Sequence, residues 1–397
     1  MQYQFSEKLE NLKPSAIREI FKNLTDPSVI SFGGGNPAPE SFPVEELKKL
    51  ALDIFENDAY TALQYSITEG YTPLRKTISE RVHNKFGIGK DFDETIIVSG
   101  GQQGLELACK VFCNEGDAVL CEEPSFIGAL NSFRSNGATP IGVKCDENGI
   151  IPEALEEKLK TVKNAKLLYI IPTFQNPMGI TTTLERRKRV YELCKQYGVL
   201  ILEDNPYGEL RFDGEDIPTI KSMDEDGLVI YCSSLSKILS AGMRIGYVVA
   251  PKEITSKMVV AKQGEDVHTN VFFQMLCYKY FTECDIDAHI EKIRAIYRRK
   301  CTLMLDCLKN ELPSEITFTK PQGGLFIWCT LPRGLDSTAF VKGLTEKKVA
   351  AVPGSAFMCT DIPSSSFRLN YSTPSDQNII DGIKILGEYA KEYLAKN

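Results

Sequence analysis

The sequence predicts an α/β fold: a mostly parallel sheet covered by helices, with a smaller α+β domain attached. Two observations predict it. From about Glu94 to Pro251, short continuous apolar runs alternate with amphipathic stretches. After Pro251 that rhythm gives way to one long helical pattern, then to short strand-like runs interleaved with helices. Alternating strand and helix means parallel strands with helical crossovers, and continuously apolar strands are buried on both faces.

Taken in order, "TIIVS" reads as a strand and "QQGLELACKVF" as the helix after it. "AVLCEE", "ATPIGV", "LLYIIPT" and "VLILED" repeat the strand, while "FIGALNSFRSNG" and "TTLERRKRVYELCKQYG" repeat the helix. Gly137 and Gly198 stand where helix C-caps belong, and Thr182 with Glu185 has the spacing of a capping box. "DAHIEKIRAIYRRKCTLMLDCLKNEL" predicts one long helix that connects two domains. Beyond it, "ITFTKP", "GGLFIWCTL", "AAVPG" and "SFRLNYS" are strand-like, and Ser375 caps a final helix. The expected division is an N-terminal segment over 1–45 that packs with the small domain, a large domain over 46–286 and a small one over 287–397.

Composition removes several function classes. The net charge of −7 argues against a nucleic-acid surface. No apolar run reaches the roughly 20 residues that span a bilayer, and the N-terminus lacks the apolar core of a signal peptide. A cytoplasmic protein is expected. The cysteines form no CxxC and no zinc spacing, so they read as reduced, buried thiols. His83, His268 and His289 lie too far apart in the chain to support a histidine metal site or a Ser–His–Asp triad.

In open α/β sheets, ligands bind at the carboxyl ends of strands. Polar residues follow each predicted strand: Ser99–Gly104 with its glycines, Glu122 to Phe126, Gln175 and Asn176, Asp204 to Tyr207, and Ser233 to Lys237. The Ser99–Gly104 turn opens a helix and can cradle a phosphate on free N–H groups. With Glu122 about 20 residues on, it also resembles a dinucleotide fingerprint, though its spacing is G-G-x-x-G rather than G-x-G-x-x-G. Taken singly, Asp204 could be a helix cap, Asn176 a turn former, and Arg244 a surface ion pair. Arg368 stands in an apolar run, where a guanidinium wants a carboxylate or phosphate. A lysine, a strand-end aspartate, a phosphate turn and a buried arginine together suit one cofactor.

The chain resembles the fold-type I, class I/II pyridoxal-phosphate aminotransferases, and most of all the 2-aminoadipate/kynurenine/aromatic subgroup. The motifs that carry this resemblance run along nearly the whole chain. They include "ISFGGGNPAPESFP", "ALQYSITEGYTPLRKTI", "VSGGQQGLEL", "PTFQNPMGIT", "ILEDNPYGELRF", "SSLSKILSAGMRIGYV", "PQGGLFIW", "VPGSAF" and "FRLNYS". The resemblance implies that Lys237 forms a Schiff base with pyridoxal phosphate and shuttles the substrate α-proton. It implies that Asp204 keeps the pyridine nitrogen protonated, and that Tyr207 and Asn176 hydrogen-bond the phenolic oxygen. The Gly101 and Gln102 backbone, Ser234, Ser236 and Arg244 are implied to hold the phosphate. Phe126 is implied to stack on the ring, and Arg368 to bind the substrate carboxylate. Tyr65 is implied to reach the phosphate from a partner subunit of a homodimer, and residues near Gly34 to line the substrate side.

Three departures from the family pattern stand out: Phe126 in place of a frequent tyrosine, Gly101 in place of serine or alanine, and Met178 in place of threonine. The implied activity moves the amino group of an aromatic, 2-aminoadipate-like or branched amino acid to a 2-oxo acid, 2-oxoglutarate by family analogy. A pyridoxal-phosphate β-lyase or decarboxylase would use most of the same residues. A regulator's sensing domain and an NAD-dependent oxidoreductase are more distant readings. Arg18 is a further candidate for contact with the substrate side chain, against the plainer reading of a solvated helix face.

Overall fold

The computed structural model describes residues 3–6, 9, 26 and 28–397. Its centre is an eight-stranded sheet. The strands lie in the order Asp93–Val98, Gly246–Pro251, Val229–Ser234, Leu200–Asp204, Ala165–Ile170, Ala118–Glu123, Thr139–Asp146 and Gly149–Ile150. Alternate residues of these strands enter two separate apolar clusters. Leu167, Tyr169 and Ile171 face one, while Leu168 and Ile170 face the other. Both faces are therefore buried, as the continuous apolar runs require.

The four inner pairings, from Val229–Ser234 across to Thr139–Asp146, are parallel. The edge strand Gly149–Ile150 pairs antiparallel with Thr139–Asp146, and on the other side Gly246–Pro251 runs antiparallel to both its neighbours. The cause is local. Residues 235–245 contain no crossover helix, so the chain must double back beside the strand it has just left. This return puts Lys237 and Arg244 on one turn at the carboxyl edge of the sheet.

A smaller antiparallel sheet has the order Thr317–Phe318, Phe326–Thr330, Ser366–Asn370 and Val352–Pro353. It sets Trp328 opposite Arg368. Ile30–Ser31 pairs in parallel with Val349–Ala350. The long helix Ile286–Glu311 precedes this sheet. Its buried Lys300 donates to the Ser372 and Pro374 carbonyls and pairs with Glu40 at 2.8 Å, so the helix is tied to two other segments.

Ser375 caps the last helix by accepting from Asn378 N at 3.1 Å, and Gly198 ends the Leu184–Tyr197 helix, both as expected. The capping box is displaced by one residue. Thr183, not Thr182, accepts from Arg186 N. Thr182 N instead donates to the Pro172 carbonyl at 2.8 Å, which holds it in the preceding loop. Among the described residues, no helix is long and apolar enough to cross a membrane.

Candidate active site

The carboxyl ends of the central strands and the 235–245 turn wall a cleft of about 310 Å³. Lys237, Asp204, Tyr207, Asn176, Ser234, Ser236, Arg244, Gly101, Gln102, Phe126 and Arg368 all line it. Residues scattered over more than 250 positions thus meet because strand ends share one edge.

Lys237 lies just beyond the Val229–Ser234 strand, and its Nζ donates to the Gly35 carbonyl at 2.7 Å. Withdrawal from water, with Arg244 and Arg368 nearby, pulls its pKa down to about 8. Desolvation and neighbouring cations both disfavour an ammonium, so the amine loses its proton readily. Asp204 ends the Leu200–Asp204 strand and is buried. The Tyr169 hydroxyl donates to Asp204 Oδ2 at 2.9 Å. Burial outweighs that bond and pushes the Asp204 carboxyl up to about 7. Tyr207 is also buried, which raises its phenol above the usual range.

At the other end of the cleft, the Gly101–Phe112 helix points its N-terminus inward, and no side chain caps it. The Gln102 side chain turns away, donating to the Gly128 carbonyl and Ser132 Oγ. Ser234 Oγ donates to Ser236 Oγ at 2.8 Å. Arg244, at φ 57°, reaches the carbonyls of Ser99 and Ala241. Gly104 lets this helix lie close to the sheet, since a Cβ there would stand 2.6 Å from Cys232 Sγ.

Arg368 is fully withdrawn from solvent. Its Nη1 donates to Asn176 Oδ1 and its Nη2 to the Gly33 carbonyl, both at 2.8 Å. Its Nε has no hydrogen-bond partner. Burial draws its pKa down to about 10, because no carboxylate offsets the desolvation.

Two site residues fall elsewhere in the single chain. Tyr65 is 81% exposed and meets His268 edge-on with ring centroids 5.8 Å apart. Gly34 is buried, and its neighbours Gly35 and Asn36 form the cleft wall. Arg18 lies outside the described residues. Glu122, which the dinucleotide reading needs at a ribose, is buried and accepts from Ile171 N at 2.8 Å.

Sequence reasoning passed over Phe326 and Phe357, which flank the Arg368 guanidinium, and Tyr169 beneath Asp204. A signal existed for Tyr169. A phenol in the middle of a buried strand needs a hydrogen-bond partner.

The model of the family described as "Aminotransferase class I and II" matches residues 27–386. The chain belongs to this family. Aromatic-amino-acid aminotransferase 1 of Thermococcus litoralis is 41% identical over 99% of this chain and 95% of its own length. The 2-aminoadipate transaminase of Thermus thermophilus is 39% identical over 98% of this chain and 97% of its own. The solved structure of Pyrococcus horikoshii kynurenine aminotransferase superposes with a TM-score of 0.95 at 40% identity, covering 98% of this chain and 97% of that one. The likeness therefore spans both the large and the small sheet.

This aminotransferase is a pyridoxal-phosphate enzyme, and its cleft fits that cofactor on chemistry alone. An uncapped helix end with two serines and an arginine suits a phosphate dianion. A buried carboxyl with a raised pKa suits a ring nitrogen that carries a proton. A buried guanidinium with an unpartnered Nε suits a carboxylate.

Proposed function

We propose that this aminotransferase takes its amino group from an amino acid with an aromatic or long side chain and passes it to 2-oxoglutarate. The names of its relatives support that donor class, and Leu105, Ile171 and Phe326 give the cleft apolar wall. The observation that carries the reading is the meeting of Lys237, Asp204 and Arg368 in one cleft.

When bound, pyridoxal phosphate supplies a carbonyl that accepts the amino group and a ring that takes up an electron pair. The Gly101 and Gln102 backbone, Ser234, Ser236 and Arg244 would hold its phosphate. Asp204 would hold a proton on the ring nitrogen, steadied by the Tyr169 hydroxyl. Asn176 and Tyr207 would donate to the phenolic oxygen, and Phe126 would cover the ring face. Arg368 would orient the donor by two parallel bonds to its α-carboxylate. Lys237, with its lowered pKa, would carry the proton between the substrate α-carbon and the cofactor's carbonyl carbon.

The same reading includes a homodimer. Tyr60, Leu63 and Tyr65 are 95%, 73% and 81% exposed on one short segment, an apolar surface that a second copy would cover. Tyr65 would there reach the phosphate in the partner's site. The division at 45 and 286 belongs to the proposal too, supported by the start of the long helix at Ile286 and the pairing of Ile30–Ser31 with Val349–Ala350. So does a cytoplasmic location, supported by twelve free cysteines.

The test is an absorption titration with pyridoxal phosphate, then with a panel of amino acids. A visible band that borohydride fixes onto Lys237, and its conversion by aromatic donors to the amino form of the cofactor, is the expected result. A band that releases pyruvate and ammonia from a cysteine conjugate with no oxo-acid acceptor would transfer the enzyme to the β-lyases.

A further inference from the structure

The phosphate turn is held from behind by a knot around one buried lysine, which the reaction itself does not use. Lys262, in the Lys252–Gln263 helix, is fully buried, yet its ammonium has a complete set of acceptors. It donates to Gln103 Oε1 at 2.8 Å, to Asp266 Oδ1 and Oδ2 at 2.7 and 2.8 Å, and to Thr269 Oγ1 at 3.0 Å. Those acceptors grip the turn. Gln103 Oε1 also accepts from Ser99 N at 2.8 Å, and Asp266 Oδ2 accepts from Ser99 Oγ at 2.7 Å and from Gln103 Nε2 at 2.9 Å. Ser99 Oγ lies 3.0 Å from Thr269 Oγ1. The Ser99 carbonyl, in turn, receives the Arg244 guanidinium at 3.3 Å.

Each end of Ser99 is therefore fixed: its N–H and hydroxyl by the knot, its carbonyl by Arg244. Gly100 and the free N–H groups of the Gly101 helix follow immediately. A satisfied network around a buried charge rigidifies what it holds. The segment also carries strain. Val267, a β-branched residue, stands at φ 64° between Asp266 and His268. That conformation is unfavourable for a β-branched residue and persists only where its surroundings enforce it.

We infer that Lys262, with Asp266, Thr269 and Ser99, is a positioning cluster that sets the Gly100–Gln102 backbone for the cofactor phosphate. The inference rests on the reading that this turn holds the phosphate. Its consequence is selective. Loosening the knot weakens the grip on the phosphate and leaves contacts to the ring untouched.

The experiment compares pyridoxal phosphate with pyridoxal, which lacks the phosphate, in binding to the cofactor-free full-length protein. The variants are Lys262→Met, Ser99→Ala and Thr269→Val. Wild type is expected to prefer pyridoxal phosphate strongly. Lys262→Met should cut that preference by about tenfold or more, and each hydroxyl deletion by roughly threefold, with pyridoxal affinity unmoved. Should Lys262→Met fail to fold, the two hydroxyl variants decide, since each removes a single hydroxyl with its two contacts and no charge. A preference preserved in the variants, or equal weakening of both ligands, overturns the positioning role. A wild type that binds both ligands equally overturns the phosphate assignment itself and this inference with it.

Discussion

The Arg368 guanidinium lies 4.1 Å from the centre of the Phe326 ring, and the Phe357 ring stands 4.9 Å from it. Phe326 and Arg368 sit on paired antiparallel strands, so the stacking follows from the register of the small sheet. Two rings fix the plane of the guanidinium and leave its Nε edge without a protein partner. A planar fork held this way is built for a carboxylate, which a lysine cannot match. Arg368→Lys should therefore lower kcat/KM for amino acids by about 100-fold, from the loss of a two-pronged charged contact. Cofactor attachment to Lys237 should persist. Steady-state kinetics with borohydride labelling checks both; an unchanged kcat/KM would place the carboxylate elsewhere.

The lowered Lys237 pKa predicts a pH dependence of cofactor attachment. Only the neutral amine attacks a carbonyl, so the attachment rate should rise with pH through a midpoint near 8. Arg368 is one of the two cations that depress this pKa. Arg368→Leu should accordingly move the midpoint upward. Stopped-flow absorbance between pH 6 and 10, about two units either side of that midpoint, reads the shift directly.

Asp204 makes the cofactor-free enzyme sensitive to pH in a definite direction. Its folded pKa, about 7, exceeds the ordinary value of 3.8 because burial disfavours the carboxylate. A raised acid contributes full stability below its unfolded pKa and loses it as pH rises through the folded one. The loss accrues between about pH 4 and pH 7 and amounts to roughly 4 kcal/mol, at 1.36 kcal/mol per unit. Thermal melting of the cofactor-free protein should fall more steeply with pH in wild type than in Asp204→Asn. Glu122, pushed up to about 8 by burial and in lesser part by the Asp204 charge, adds a loss of its own that Asp204→Asn also reduces, so the two effects run in the same direction. Parallel melting curves would remove Asp204 from the account.

Gly100 and Gly242 give a matched pair on the two sides of the phosphate turn. Gly100 has φ 82°, and a Cβ on it would collide with the Arg244 guanidinium. Gly242 is exposed, and a Cβ there would meet only Ser240 Oγ, at 3.8 Å. Gly100→Ala should cost about 1–3 kcal/mol of stability through backbone strain and should weaken pyridoxal phosphate binding. Gly242→Ala should stay within about 0.5 kcal/mol of wild type. Melting temperatures and cofactor titrations separate the two.

Much of this site was legible in the sequence. Lys237, Asp204 and Asn176 each follow an apolar run, and such runs become strands whose carboxyl ends share one edge. Arg368 was legible as a cation in apolar surroundings. The residues that the sequence did not reveal are those whose role lies in a neighbour. Phe326 and Phe357 read as ordinary core until the small sheet brings them against Arg368. Lys262 reads as one charge on a mixed helix until Ser99, Gln103 and Thr269 close around it.

The sequence by itself determined the strand and helix rhythm, the family and most of the residues that line the cleft, because periodicity and motif order are local properties of the chain. It also placed the Ser375 and Gly198 caps, while missing the helix start at Thr183 by one residue, where a bond to Pro172 decided. Only the tertiary structure decided the reversed Gly246–Pro251 strand, the pKa directions of Lys237 and Asp204, and the knot around Lys262. Each depends on which groups lie within a few ångströms and how far water is excluded, and long-range packing alone sets those distances.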